Sequence, residues 1–369
     1  MEYVKKIGLL LCAFMFMTMQ SCVRNDLDEC PPLVRYAVSF EYLLHTAGGD
    51  LFPEDVEKMY LYVFDHATGV CVYADTTITG PFSNNFIYNL PLNTGTYDII
   101  VWGWGRETGD LNLDRSTGVI PAIIVGQTKI DQAKFILDEL DKNIDDNVHG
   151  KIEKTFYGEI ADKYIPPFIS EVDTVDLINI SNMLRVIIPD ADNLPNWQSM
   201  KVTIEGDDGS YKFIPGVNSP LIDPVTGHVF YNPYQTFFDD SILRVDRIYT
   251  GRLNPDYGND AGIVADISTL RLVDNDQNML VVVAWDSDND PSTPDEKLTF
   301  PLIDLLKEAV ERGTFDFDGN YQKLFDQIDR WEIIIEVTKT NITIAIAMED
   351  WHIVIQDVTV GGWDMGLLR

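Results

Sequence analysis

A chain of 369 residues with 59 acidic against 27 basic side chains carries a formal charge of −32, and it is long enough for two domains with well-buried cores. So acidic a surface is repelled by phosphate backbones and by anionic headgroups. That sets aside nucleic acid as a partner and a protein lying flat on a membrane.

The chain opens on "MEYVKKIGLLLCAFMFMTMQS", with a basic head at Lys5 and Lys6, an apolar run of 13 residues from Ile7 to Met19, and a polar close at Gln20 and Ser21. This is the layout of a secretory signal, shorter than the roughly 17–25 apolar residues of a spanning helix. A small residue directly before Cys22 resembles a bacterial lipobox. The resemblance implies a lipoprotein signal peptide over residues 1–21 and a mature chain beginning at Cys22. Cys22 would then carry a diacylglycerol thioether and an N-acyl group such as palmitate. Each buried CH2 contributes about 0.8 kcal/mol, so three acyl chains suffice to hold a protein on a bilayer. Residues 22–32 read as a lipidated spacer, acidic at Asp26, Asp28 and Glu29. With Cys12 in the signal and Cys22 lipidated, Cys30 and Cys71 are the candidates for a disulfide, a pairing that spacing alone leaves open.

Short extended segments follow, rich in β-branched and aromatic residues and broken by turn residues. They are "RYAVSFEYLL" (35–44), "EKMYLYVFD" (57–65), "GVCVYAD" (69–75), "NNFIYNLPL" (84–92), "TYDIIVWGWG" (96–105) and "KIDQAKFILDEL" (129–140). The link "DHATG" has the Asp and Gly of a hairpin turn. The acidic stretch at 138–154 is the expected boundary, dividing an N-terminal β-sandwich at 33–145 from a C-terminal one at 146–369. The second series runs through 173–181, 182–190, 199–216, 228–238, 262–273, 278–286 and 296–302. A helix is predicted at 302–312, where Leu302, Leu305, Leu306 and Val310 share one face and Gly313 stops it. Strand signals at 330–338, 341–348 and 351–360 end the chain. The expected fold is mainly β, two tandem sandwiches with one short helix in the second.

Motifs for chemistry are sparse. The five histidines, His45, His66, His149, His228 and His352, form no HExxH pattern, and neither a GxSxG elbow nor a Walker loop occurs, so no catalytic residue is assigned. Cys30 and Cys71 lie in no Cys/His cluster, so zinc is not expected. "DSDNDPSTPDEK" (286–297) begins like a calcium loop with Asp286, Asp288 and Asp290. It then departs from one, with Pro291 where an EF-hand needs Gly and Lys297 where it needs Glu. "LVDNDQN" (272–278) is similar in kind. A solvated turn is the better reading of both, and no metal is expected. Trp102 and Trp104, on one face of an alternating strand, suit a core or a sugar-stacking platform, with the core favoured.

The order Cys22, an acidic stretch, "ECPP" (29–32), "LYVFDHATGVCV" (61–72) and "NTGTYDIIVWGWG" (93–105) resembles the fimbrillin-associated anchor lipoproteins of type V fimbriae. So do "FYGEI" (156–160), "LINISNMLRVIIP" (177–189), "LFDQIDRWEIIIEVT" (324–338) and "MEDWHIVIQDVTV" (348–360). The resemblance implies transthyretin-like sandwiches and no enzymatic activity. It also implies a surface-exposed place in the outer membrane at the base of a fimbrium, where a fimbrillin shaft subunit joins by strand addition and fimbrial length is limited. Asp26, Asp28 and Glu29 then look like a surface-export signal. The other readings are a surface carbohydrate-binding lipoprotein and a tip or accessory adhesin of the same family.

Overall fold

The computed structural model describes residues 35–105, 115–141, 146–167, 170–189, 196–216, 221–223, 227–237, 262–286, 288, 290, 292–293, 295–312, 318–337, 342–348 and 351–355. The protein is mainly β. Its first part contains β1 (Arg35–Glu41), α1 (Phe52–Asp55), β2 (Val56–Asp65), β3 (Cys71–Thr79), β4 (Ile87–Leu90), β5 (Gly95–Gly105), β6 (Lys134–Leu137), β7 (Thr155–Ile165) and β8 (Ser170–Asp176). Two layers form: a three-stranded sheet β8-β1-β4, and a five-stranded sheet in which Ile178–Asn179, β7, β5, β2 and β3 lie side by side. β1 runs parallel to β8 and antiparallel to β4.

Alternation along the strands explains the layering. Tyr36, Val38 and Phe40 of β1 face Met59, Leu61 and Val63 of β2 and Ile99 and Val101 of β5, and together they form one core. Their sequence neighbours Tyr62, Phe64, Ile100 and Trp102 point the opposite way. These join Tyr157, Phe135, Tyr211 and Phe213 in a second core that continues into the rest of the chain. The central sheet is therefore covered on both faces, which is why "LYVF" and "DIIVWGW" read as near-continuous apolar runs rather than as alternating strands.

The remaining elements are β9 (Ser181–Ile188), β10 (Lys201–Gly206), β11 (Ser210–Lys212), β12 (Val229–Tyr231), β13 (Gln235–Phe237), β14 (Ile263–Leu270), β15 (Leu280–Trp285), β16 (Glu296–Pro301), α2 (Leu302–Arg312), α3 (Tyr321–Gln327), β17 (Arg330–Val337), β18 (Ile342–Met348) and β19 (Trp351–Ile355). A six-stranded sheet β13-β14-β9-β17-β18-β19 lies with a five-stranded sheet β16-β15-β10-β12 that ends on Asn147–Val148. A small sheet pairs Leu221–Ile222, β11, β6 and Gly118–Val119. α2 occupies the expected residues, with Leu302, Ile303, Leu305, Leu306, Ala309 and Val310 buried.

Three expectations change. The sheets do not divide at residue 145: β7 and β8, which follow it, pair with β5 and β1, whereas β6, which precedes it, pairs with β11. An acidic run marks a solvated connection, and it carries no information about which distant strands pair. The segment 199–216 is two strands in two sheets, β10 beside β15 and β11 beside β6. A further helix, α3, escapes the periodicity reading because it has only seven residues, of which Phe325 and Asp326 are buried. So short a helix gains its stability from tertiary contacts rather than from propensity. The Asn320 side chain caps it by accepting from the Lys323 amide at 3.0 Å.

The expected hairpin turn between β2 and β3 is present. The Asp65 carboxylate accepts from the Thr68 amide and hydroxyl at 2.9 and 2.7 Å, and Gly69 adopts φ +69°, where a Cβ is strained. Next to it His66 Nδ1 lies 3.0 Å from the buried Asp98 carboxylate, and Nε2 lies 3.6 Å from Asp162. The hydrogen bond and charge of Asp98 raise the His66 pKa above its ordinary 6.5. A histidine raised by folding contributes stability that is whole below about pH 6.5 and fades as pH rises through the folded value. Thermal unfolding followed from pH 5.5 to 8.5 should show that decline, and His66→Asn should flatten it. An unchanged profile in the variant would rule out this origin.

Candidate functional site

Cys22, Cys30, Asp26, Asp28 and Glu29 lie outside the described residues. Cys71 is a free, fully buried cysteine at the start of β3. Its Sγ donates to the Tyr73 carbonyl at 3.3 Å, and burial pushes the thiol pKa up. Segment 124–130 closes over this end of β3, since the Cys71 amide donates to the Thr128 carbonyl at 2.9 Å and Gly126 donates to the Cys71 carbonyl at 2.7 Å.

Trp102 has no exposed surface. It stacks on Phe135 with ring centroids 4.4 Å apart and planes 4° from parallel, and Phe213 lies 5.6 Å away. Trp104, 7% exposed, packs against Tyr60 at 4.6 Å. Lys58 Nζ sits 4.4 Å over the Tyr60 ring and 5.3 Å over Trp104. The favoured core reading holds for Trp102, which is sealed among protein partners, while Trp104 is largely buried but borders a cleft. That cleft, of about 800 Å3, is lined in part by Glu57, Lys58, Tyr60, Trp104, Val119 and Glu153.

The residues of the calcium-like stretch are not brought together. Asp288 accepts from the Thr293 hydroxyl at 2.8 Å and the Asp290 amide at 3.0 Å, while Asp290 accepts from the Ser292 amide and hydroxyl at 2.9 and 2.7 Å. Asp286 is tied through its backbone to Asn196 and Ser199. The carboxylates of Asp288 and Asp290 thus cap their own turn. Among the described residues no three His, Cys, Asp or Glu side chains group as a metal cage, and no helix is long and apolar enough to cross a membrane.

The sheet edges of the first part are the clearest surface feature. β3, β4 and β8 each end a sheet, and each carries one exposed branched aliphatic residue: Val72, Ile87 and Val172, at 39, 47 and 50% exposure. Polar contacts pin both flanks of the two layers. On one flank Tyr88 of β4 donates to Asp75 of β3, and its hydroxyl lies 2.5 Å from that of Tyr73. Burial raises the Asp75 pKa, but the bonds from Tyr88 and Thr77 outweigh it and leave the group below the ordinary value. On the other, Lys163 of β7 bridges Glu171 and Asp173 of β8 at 2.8 and 2.6 Å, and the Tyr36 hydroxyl donates to Asp173 at 2.7 Å. Charges and short length are the usual guards of an edge strand, and β8 and β4 show one each. Strand composition was readable from sequence; which strands end their sheets was not, because that depends on pairings between distant segments.

This architecture is shared with solved structures. A Bacteroides thetaiotaomicron protein provisionally described as polysaccharide-binding matches with TM-score 0.63 and 18% identity, over 88% of this chain and 99% of its own. The fimbrial anchor protein Mfa2 from Porphyromonas gingivalis matches with TM-score 0.56 and 17% identity, over 87% of this chain and 98% of its own. No curated protein matches by sequence. The model of a family described as fimbrillin-A associated anchor proteins Mfa1 and Mfa2 matches residues 27–357, nearly the whole chain after the signal-like segment. By that match the chain belongs to the family of fimbrillin-A associated anchor proteins.

Proposed function

We propose that the chain is an outer-membrane lipoprotein that anchors a fimbrium to the cell surface and has no enzymatic role. Lipid on Cys22 holds it, and a fimbrial shaft subunit joins it by strand addition. The observation that carries this reading is the family match from residue 27 to residue 357, which begins five positions after the lipobox cysteine. Sheet edges at β4, β8 and the part of β3 beyond Cys71 support the joining step, because an edge offers main-chain groups to a neighbour's strand and its exposed side chains add selectivity. Limiting fimbrial length belongs to the same role, since an anchor ends the shaft.

Deleting the gene tests this reading: fimbriae should appear in the culture medium, and cell-bound fimbriae of normal length would contradict it. The carbohydrate-binding reading loses its main residue support with Trp102 sealed in the core. Glycan binding abolished by changes at Trp104 would revive it.

A further inference from the structure

Two acidic turns far apart in sequence, "EGDDGSY" (205–211) and "LVDNDQN" (272–278), meet at one end of the β10–β15 ladder. Glu205 pairs with Leu280 there, and Asn278 Nδ2 donates to Asp207 Oδ2 at 2.8 Å. Asp207 is satisfied, since its Oδ1 also meets His228 Nδ1 at 3.1 Å. Asp208 is not. Its residue is wholly buried; Oδ1 accepts from the Tyr231 hydroxyl at 2.8 Å, while Oδ2 has no hydrogen-bond partner. On the facing turn Asp276 shows the same division, with Oδ1 accepting from the Asn278 amide at 2.9 Å and Oδ2 buried without a partner. The two turns adjoin, since Asn278 donates through its amide to Asp276 and through its side chain to Asp207.

A buried carboxyl oxygen with no hydrogen-bond partner is costly, and two from adjoining turns point to a shared partner. Tyr231 and Asn278 supply dipoles but no positive charge. Arg271, the buried cation of this region, is engaged by Asp326 at 2.7 and 2.6 Å. We propose that Asp208 and Asp276 supply two ligands of a hard divalent cation, with calcium the better match. Calcium takes six to eight oxygens in flexible geometry and completes its shell with carbonyls and water around a few carboxylates. Magnesium demands near-octahedral geometry and gives up water reluctantly, so it fits two turns of irregular backbone less well. A carboxyl must give up its proton to ligate a cation, so affinity falls with falling pH.

The test is thermal unfolding of the full mature chain, stripped with EDTA and then titrated with calcium chloride, magnesium chloride or sodium chloride of matched ionic strength. At a hundredfold excess over the dissociation constant, calcium should raise Tm by about 4 °C, magnesium less, and sodium not at all. Asp276→Asn, at the half-buried turn where folding is least at risk, and Asp208→Asn should each abolish the shift, whereas Asp288→Asn in the exposed calcium-like stretch should keep it. In EDTA, Asp208→Asn should unfold no earlier than the parent, because it keeps the oxygen that Tyr231 bonds and replaces only the oxygen that has no partner. No calcium-specific shift, or a shift kept in Asp276→Asn and Asp208→Asn or lost in Asp288→Asn, would overturn the assignment.

Discussion

Asp326→Ala should lower the unfolding free energy by about 3–5 kcal/mol, the usual cost of stranding one member of a buried ion pair. Arg271 and Asp326 are 5 and 6% exposed at their side chains and meet in a bidentate fork. Gln322 adds a bond to Asp326 at 2.9 Å, and the Arg271 amide donates to the Tyr211 hydroxyl at 3.2 Å. One pair therefore ties α3 to the end of β14 and, through Tyr211, to the small sheet. Removing the carboxylate takes both acceptors of the fork away from a buried guanidinium. Urea unfolding should show an earlier midpoint with little change in slope. Replacing both residues, Arg271→Met with Asp326→Leu, should recover most of the loss, since apolar side chains of similar volume fill such sites well. A loss below about 1 kcal/mol in Asp326→Ala would mean that water reaches the pair.

Trp102→Ala should cost about 3–5 kcal/mol through lost burial and the cavity left behind. The indole lies between the central sheet and the β6–β11 sheet, stacked with Phe135 and Phe213 and edge-on to Tyr157 at 5.1 Å. Its Nε1 has no hydrogen-bond partner, so it contributes as a large apolar plate. Trp102→Phe should cost less, because it keeps a stacked ring while losing part of the volume. Chemical denaturation of both variants gives the comparison. Near-parental stability of Trp102→Ala would contradict its place in the second core.

Local features were legible in the sequence. The apolar spacing of Leu302, Leu305, Leu306 and Val310 marks α2 because a 3.6-residue period is written into four positions, and "DHATG" marks a turn because Asp and Gly supply what that turn needs. Long-range pairing was not. Nothing in "SEVDTVD" says that it runs parallel beside "RYAVSFE", 135 positions earlier, so the domain boundary drawn at an acidic run missed the exchange of strands across it. The side a residue faces was half legible: alternation puts Trp102 and Trp104 together, but only the strands laid over that face decide between core and surface.

The same limit applies to the acidic loops. Asp286, Asp288 and Asp290 attracted notice by spacing, yet Ser and Thr two to five positions on consume the carboxylates of Asp288 and Asp290 locally. Asp208 attracted none, because its surroundings come from elsewhere in the chain, with Tyr231 of β12 reaching its carboxyl. The Asp pair in "GDDGS" looks like any solvated turn until the facing "DNDQN" is in place.

The anchoring claim joins two things, a lipid at Cys22 and a fimbrium seated on the chain that carries it. The most direct measurement is the fraction of fimbrial subunits in the medium when a deletion strain is complemented with Cys22→Ser. Both the unlipidated chain and the fimbriae should leave the cell, while the parental gene restores cell-bound fimbriae. Fimbriae that stay on the cell surface with Cys22→Ser would contradict it.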